Sequence, residues 1–285
     1  LDDGGRTGRA AADKEVDMAE IRLGKSGRIH PHLEESRNAE DDGAFFLHDQ
    51  FSFFYSWGRT FKKPSRQGFP EFKWPVNDSY QFFLDLGPLK NVTANYFGDS
   101  CITWNEFMNH PDYDDYWKTR NPLQYLNKVK PAVMTVGGWF DAEDLYGTLH
   151  TYEAIESQNR GSHPNYLVMG PWDHGQWEFT KAENVGNIYW GQEVNKSLHE
   201  LEVKFFDYYL RDKGEADFPE ATIFVTGANE WRSFSNWPPA NTTDQKLYFQ
   251  PDGKITFTPP VISESFDEYM SDPMKPVPYA EKVHT

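Results

Sequence analysis

Apolar residues recur along this chain in short segments whose spacing predicts helices and strands. The aromatic residues between Gly43 and Gly58 are spaced as on one face of a helix, which predicts a buried helix ending near Gly58. Two further short helices are predicted over Tyr80–Leu86 and Trp104–Met108. The region that follows Gly43 is therefore expected to be mainly helical.

A strand–helix–strand pattern follows Pro131. Residues 132–136 form a continuous apolar run of strand length, which Gly137 and Gly138 are predicted to stop. Apolar residues then recur at helical spacing from Leu145 to Ile155, and residues 165–169 are predicted to form a second buried strand. This order is typical of a right-handed βαβ unit in a buried parallel sheet.

The pattern changes again at Gly214. Apolar positions from Leu198 to Leu210 predict an amphipathic helix, for which Gly214 is the expected stop. Beyond it, short strand candidates over residues 221–226, 245–250 and 254–258 are separated by turn residues. Such spacing predicts an all-β module.

Composition then narrows the classes of function. Acidic side chains outnumber basic ones by 44 to 28, and the net charge of −16 disfavours a nucleic-acid partner because phosphates would be repelled. No apolar run reaches the roughly 20 residues of a membrane helix, so no membrane span is expected. Leu1 opens no signal-peptide pattern. One cysteine cannot form an internal disulfide.

The first 42 residues differ from the rest of the chain. They contain no Phe, Tyr or Trp, and 18 of the 42 are charged. A segment of this composition buries little apolar surface. We therefore expect a charged, loop-rich leader.

Candidate chemistry lies directly after the two predicted strands of the βαβ unit. Asp141 follows the first strand and His174 follows the second, 33 residues later. Functional groups of a parallel sheet gather at the carboxyl ends of its strands. A carboxylate and an imidazole there suit the acid and base of a hydrolase triad, whose serine would lie upstream. Two other interpretations stay open: ordinary loop residues, or a metal site that includes Glu143 and Asp144.

Two long motifs around these residues resemble a known family. The stretches VGGWFDAEDLYG (136–147) and MGPWDHGQW (169–177) resemble the X-Pro dipeptidyl-peptidase and cocaine-esterase superfamily of serine hydrolases. The closest likeness is to its α-amino-acid ester hydrolases and cephalosporin-acylase-like members. It also covers the FFDYYL helix and the VTGANEWR segment. By this resemblance, Asp141 is the triad acid and His174 the triad base.

The resemblance implies an α/β fold built from the last strands of an α/β-hydrolase sheet. It assigns residues 43–130 to a helical cap and residues 131–214 to the C-terminal part of the hydrolase domain. Residues 215–285 would be the start of a β jelly-roll domain, and residues 1–42 show no family likeness. The expected piece thus omits most of the hydrolase domain.

The resemblance also gives a role to neighbouring acids. It places Glu143 and Asp144 in a carboxylate cluster that holds the α-ammonium group of the substrate, with Asp42 or Asp41 as a further member. Several carboxylates in a cleft attract a small cation. Acids at a helix start also offset the helix dipole, which is a structural alternative for Glu143 and Asp144.

The nucleophile is the part that does not match. The string Gly-x-Ser-x-Gly occurs nowhere in the chain. The leading hypothesis is a serine hydrolase of α-amino-acid esters or β-lactam side-chain amides. The alternatives are an Xaa-Pro dipeptidyl-peptidase, a glutaryl-type acylase, or a truncated, non-catalytic family member.

Partners and cofactors follow from the same resemblance. We expect a small ester or amide substrate that carries an α-amino group, and no cofactor or metal. A homo-oligomer is left open. The resemblance implies a periplasmic or secreted location, although the residues themselves leave the compartment unknown.

Overall fold

The computed structural model describes residues 47–58, 63, 66, 71–159, 163–261, 266, 268, 270, 272 and 274. They divide into two compact units. One unit comprises residues 112–242. The other comprises residues 47–111 together with those from 243 onward. Asp42 and the predicted leader lie outside the described residues.

Helices and strands alternate in the way that the sequence pattern indicates. The longer helices are α1 Leu47–Ser56, α2 Ser79–Leu86, α3 Ile102–Asn109, α4 Leu145–Asn159 and α5 Asn195–Arg211. Shorter helical turns are Lys90–Val92, Thr93–Phe97, Gly98–Ser100, Asp115–Lys118, Pro122–Lys128, Gln176–Phe179 and Pro251–Gly253. The strands are β1 Val133–Gly138, β2 Asn165–Gly170, β3 Asn184–Val185, β4 Ile188–Tyr189, β5 Ala221–Val225, β6 Glu230–Phe234, β7 Tyr248–Gln250 and β8 Lys254–Thr256.

Helices α1, α2 and α3 pack around an aromatic core. Phe51 on α1 is fully buried and contacts Phe82 of α2 with ring centroids 5.7 Å apart. Phe54, also on α1, contacts Phe107 of α3 at 5.0 Å. Edge-to-face pairs at these distances add to the hydrophobic effect of burying the rings. The three predicted helices in this region are confirmed.

The other unit contains a four-stranded sheet in the order β1–β2–β5–β6. Strand β2 is parallel to both β1 and β5, whereas β6 is antiparallel to β5. Helix α4 connects β1 to β2, so the predicted strand–helix–strand unit is confirmed as a parallel pair. The fold is mixed α/β with a parallel sheet.

Side chains alternate between two buried layers along the central strands. Leu167 and Met169 of β2 pack with Tyr152 of α4. Val168 points to the other layer, where it packs with Leu198 of α5. Strand positions covered on both faces favour apolar residues, which accounts for the apolar run over residues 166–169 of β2.

Two glycines predicted to stop the first strand lie within it. Gly137 and Gly138 both pair with β2. A side chain at Gly137 would collide with Thr148 on α4, and one at Gly138 would collide with the Trp172 carbonyl. These glycines therefore permit close packing and do not form a turn.

The segment beyond residue 214 also differs from expectation. The sequence predicts that β5 opens a separate all-β module, but β5 pairs with β2 and extends the parallel sheet. The left-handed cap of α5 is Asp212 (φ 49°), two residues before the expected Gly214. From residue 243 onward, the described positions include one two-stranded sheet, formed by β7 and β8. A jelly roll is not confirmed, and the four-domain division stays a prediction.

Candidate acid–base site

The two candidate loops are held together by hydrogen bonds that continue the β1–β2 pairing. The Trp139 backbone N–H donates to the Gly170 carbonyl at 2.8 Å, and the Phe140 N–H donates to the Trp172 carbonyl at 3.0 Å. These bonds bring the segment after β1 against the segment after β2. The residue that follows Phe140 is Asp141, and His174 lies two residues beyond Trp172.

Asp141 and His174 meet where these loops run side by side. Nδ1 of His174 lies 3.2 Å from each carboxylate oxygen of Asp141. The Asp141 side chain is 1% exposed and that of His174 is 38% exposed. With Nδ1–H donating to the carboxylate, Nε2 is the ring atom left to exchange a proton with a substrate or nucleophile.

The Asp141 carboxylate is oriented by the backbone of its own loop. Its Oδ1 accepts hydrogen bonds from the backbone N–H of Glu143 at 2.9 Å and of Asp144 at 3.0 Å. The Asp141 N–H in turn donates to the Gly138 carbonyl at 3.2 Å. An aspartate whose side chain binds its own loop in this way holds a fixed orientation at the start of a helix.

Burial and hydrogen bonding act in opposite directions on these two groups. Burial raises the pKa of the Asp141 carboxyl, but the hydrogen bonds from His174 and from the Glu143 and Asp144 backbone outweigh it, so the pKa lies below its ordinary value. The hydrogen bond to Asp141 raises the pKa of His174 to about 9 against the opposing effect of burial, and the charges of nearby carboxylates add to the increase. The pair thus favours a carboxylate beside an imidazolium at neutral pH.

Asp144 joins this pair, whereas Glu143 points outward. Oδ2 of Asp144 lies 3.5 Å from Nδ1 of His174, and the Asp144 side chain is 20% exposed. Glu143 is exposed, and its negative charge contributes to the high pKa of His174. Asp144 also precedes the first residue of α4, where its carbonyl accepts the Thr148 N–H at 3.1 Å. The proposed ammonium role and the helix-start role are thus compatible at this residue.

Three of these groups also have the spacing of metal ligands. One ligand atom each from Asp141, Asp144 and His174 lie within 4.8 Å of one another. The hydrogen bonds that already engage Asp141 come from the imidazole and two backbone N–H groups. Hydrogen bonds of this kind are typical of an acid–imidazole pair.

A buried asparagine that the sequence analysis did not single out supports the His174 loop. Asn195, the first residue of α5, is 1% exposed. Its Oδ1 accepts from Nε1 of Trp172 at 2.6 Å, and its Nδ2 donates to the carbonyls of Gln176 (3.1 Å), Trp177 (3.2 Å) and Thr180 (2.6 Å). These bonds join both sides of the loop that carries His174 to one helix.

The remaining constraints on this loop come from two glycines. A Cβ at Gly170 would collide with the indole ring of Trp172, which folds back over the end of β2. Gly175, directly after His174, has φ 73°, in the left-handed region that favours glycine. The turn that presents the imidazole therefore depends on these small residues.

The chain is similar to known hydrolases in sequence and in fold. Residues 62–176 match the family model described as X-Pro dipeptidyl-peptidase (S15 family), a range that includes Asp141 and His174. The resemblance inferred from the sequence is confirmed. The chain is also 28% identical over 192 residues to the cocaine esterase of Rhodococcus sp. (strain MB1 Bresler), an alignment that covers 62% of this chain and 32% of the esterase.

Two solved structures of similar fold extend the match beyond the S15 region. An aminopeptidase from the marine sediment archaeon Thaumarchaeota archaeon aligns with a TM-score of 0.75 at 30% identity, over 84% of this chain and 38% of that one. An α-amino acid ester hydrolase aligns with a TM-score of 0.73 at 30% identity, over 82% of this chain and 39% of that one. The chain thus spans well under half the length of these relatives.

Within the described segments, no helix is both long enough and apolar enough to cross a bilayer.

Proposed function

We propose that this chain supplies the acid and the base of a serine hydrolase site. The observation that carries the proposal is the pairing of the buried Asp141 carboxylate with the half-exposed His174 imidazole, at the carboxyl ends of two adjacent parallel strands. In this role Asp141 fixes the imidazole through Nδ1. Nε2 then accepts the proton of a serine hydroxyl as the hydroxyl attacks the carbonyl carbon, and later donates it to the leaving group.

The relatives support hydrolysis as the reaction. They include an esterase and an α-amino acid ester hydrolase, and the family is named for a peptidase. We propose esters or side-chain amides as substrates, cleaved through an acyl-enzyme that water or an amine then releases. The nucleophilic serine remains unassigned, because the chain contains no Gly-x-Ser-x-Gly string.

For the substrate we propose an acyl group with an α-ammonium. The negative charge of Asp144 beside His174 and of the exposed Glu143 supports this proposal, because carboxylates next to the proposed base attract a cation. The same charge would repel the carboxylate of a glutaryl group, which disfavours a glutaryl-type acylase. An Xaa-Pro dipeptidyl-peptidase or aminopeptidase activity remains the second candidate, since such substrates also carry a free amino terminus and one structural relative is an aminopeptidase. Asp42, the further acid of this proposal, lies outside the described residues.

A fluorophosphonate probe tests the proposed reaction. We expect covalent labelling of one serine, located by peptide mass spectrometry, with a rate at least about 100-fold lower in His174→Gln, because the base no longer accepts the hydroxyl proton. Asp173→Asn, which removes an exposed carboxylate next to His174, is the matched control and is expected to label normally.

The outcomes separate the competing functions. Absence of any adduct on the wild-type chain would favour the non-catalytic alternative. Labelling that His174→Gln leaves unchanged would refute the role of the pair.

A second experiment tests the substrate by comparing the hydrolysis of phenylglycine methyl ester with that of mandelate methyl ester. The two esters differ at the α-carbon, which carries an ammonium group in the first and a hydroxyl group in the second. Glu143→Gln and Asp144→Asn are expected to reduce the preference for the phenylglycine ester, and an unchanged preference would contradict the ammonium site.

A further inference from the structure

Asp144 places a second carboxylate beside the His174 imidazole. Its Oδ2 is 3.5 Å from Nδ1 of His174, while Asp141 holds the same nitrogen at 3.2 Å through both carboxylate oxygens. Asp141 is further engaged by two backbone N–H groups, so its orientation is fixed. The Asp144 side chain is 20% exposed against 1% for Asp141, so Asp144 is the carboxylate beside the imidazole that a ligand can reach more readily.

We infer that Asp144 is shared between the His174 imidazolium and the ammonium of the substrate, so that binding of the ammonium promotes release of the proton from His174. The identity of the ligand as an ammonium rests on the proposed function above. The coupling itself rests on the distance between Asp144 and His174 and on the burial of the pair. Asp144 then positions charge in the site as well as binding substrate.

The physical reason is electrostatic. The groups that face His174 and favour its protonated form are the carboxylates of Asp141, Glu143 and Asp144. With a pKa of about 9, most of the imidazole is protonated at neutral pH, so only a small neutral fraction can accept a proton from a hydroxyl. An ammonium paired with Asp144 neutralises one of these carboxylates and adds a cation nearby, and both effects disfavour the imidazolium.

This coupling gives the enzyme selectivity at the chemical step. A substrate that lacks the ammonium would bind beside a base that is still protonated, whereas an α-amino substrate would generate its own neutral base. Because linkage is reciprocal, ammonium binding must also strengthen as the pH rises through the pKa of His174.

The experiment is a pH titration of the His174 imidazole by NMR on the full chain, with the signal assigned from its absence in His174→Gln. Wild type, Asp144→Asn and the control Asp173→Asn are compared, each alone, with benzylammonium and with the neutral benzyl alcohol. We expect the midpoint to fall by about one pH unit in Asp144→Asn, as is typical when an adjacent opposite charge is removed, and to stay unchanged in Asp173→Asn. Benzylammonium should lower the wild-type midpoint by a similar amount, with a much smaller effect in Asp144→Asn.

Other results would overturn the inference. An unchanged midpoint in Asp144→Asn would show that this carboxylate does not act on the imidazole. Lack of benzylammonium binding, or an equal shift of the midpoint with benzyl alcohol, would contradict the sharing of Asp144 between the ammonium and the imidazolium. Reciprocity is checked by calorimetry with benzyltrimethylammonium, whose charge does not titrate: it should bind about tenfold more tightly above the midpoint than below it for a one-unit coupling. Failure of fluorophosphonate labelling would count against the proposed hydrolysis but would leave this titration interpretable.

Discussion

The most demanding structural prediction concerns Asn195, which joins the His174 loop to helix α5. Asn195→Ala removes the acceptor of the Trp172 indole N–H and the donor to three carbonyls of the loop. Trp172 is 0% exposed, so its N–H loses its partner where water has little access. The three carbonyls belong to a more exposed segment, where water can replace part of what they lose.

The magnitude follows from these differences in burial. An unsatisfied buried donor costs about 1–3 kcal/mol, and each hydrogen bond in a wetter position contributes about 0.5–1.5 kcal/mol before water compensates. Taken together, we expect Asn195→Ala to reduce the free energy of unfolding by about 3 kcal/mol. The loop that carries His174 should also loosen, so the pKa of His174 should fall from about 9 toward its ordinary value.

Urea denaturation at equilibrium measures the first effect, and NMR titration of His174 measures the second. Asn236→Ala is the control, because Asn236 is exposed and a surface substitution of this kind changes stability by less than about 0.5 kcal/mol. Combining Asn195→Ala with Trp172→Phe should show a coupling of about 1–2 kcal/mol, since the second change removes the orphaned donor. A loss no larger than that of the control, or no coupling, would refute the proposed support of the loop.

Two further predictions concern the pH dependence that the Asp141–His174 pair gives to stability and the packing of Gly137 against helix α4. Because the pKa of His174 is raised to about 9 from an unfolded value of about 6.5, its pairing stabilises the fold fully below about pH 6.5 and the contribution is lost as the pH rises through 9. Urea midpoints of wild type should therefore fall between about pH 6.5 and 9 more steeply than those of His174→Gln, and equal slopes would contradict the pairing. Gly137→Ala should destabilise the fold by about 1–3 kcal/mol in thermal unfolding, because its Cβ would lie 2.5 Å from Cγ2 of Thr148. Part of that loss should be recovered with Thr148→Ala added, because Cγ2 and Oγ1 are removed while Cβ stays 2.9 Å away, and no recovery at all would place the cause elsewhere.

Much of the fold was predictable because local spacing reflects burial. Strand β2 is covered by α4 on one face and α5 on the other, so its residues 166–169 are apolar and the strand is visible as an uninterrupted run. The residues of β5 do not show from the sequence to which sheet this strand belongs. Its five residues are similar to those of a strand in a sandwich, and only its pairing with β2 places it in the parallel sheet.

Gly137 and Gly138, the last two residues of β1, show a second limit of prediction from local patterns. Gly-Gly after an apolar run is a common stop signal, but Gly137 and Gly138 remain in the strand because neighbouring groups occupy the space of a side chain. Close approach of Thr148 and Trp172 is a property of the folded chain. The sequence alone offered no sign of which neighbours these would be.

For the candidate site, the sequence by itself determined which residues follow adjacent strand ends, and therefore that Asp141 and His174 would meet. It also supplied the long motifs whose family resemblance the comparisons confirm. Only the tertiary structure decided that Asp144 lies 3.5 Å from the imidazole and that Asn195 binds both sides of the loop. The reason is physical: strand order and apolar spacing are encoded locally, whereas burial, charge proximity and hydrogen-bond partners depend on residues brought together from distant parts of the chain.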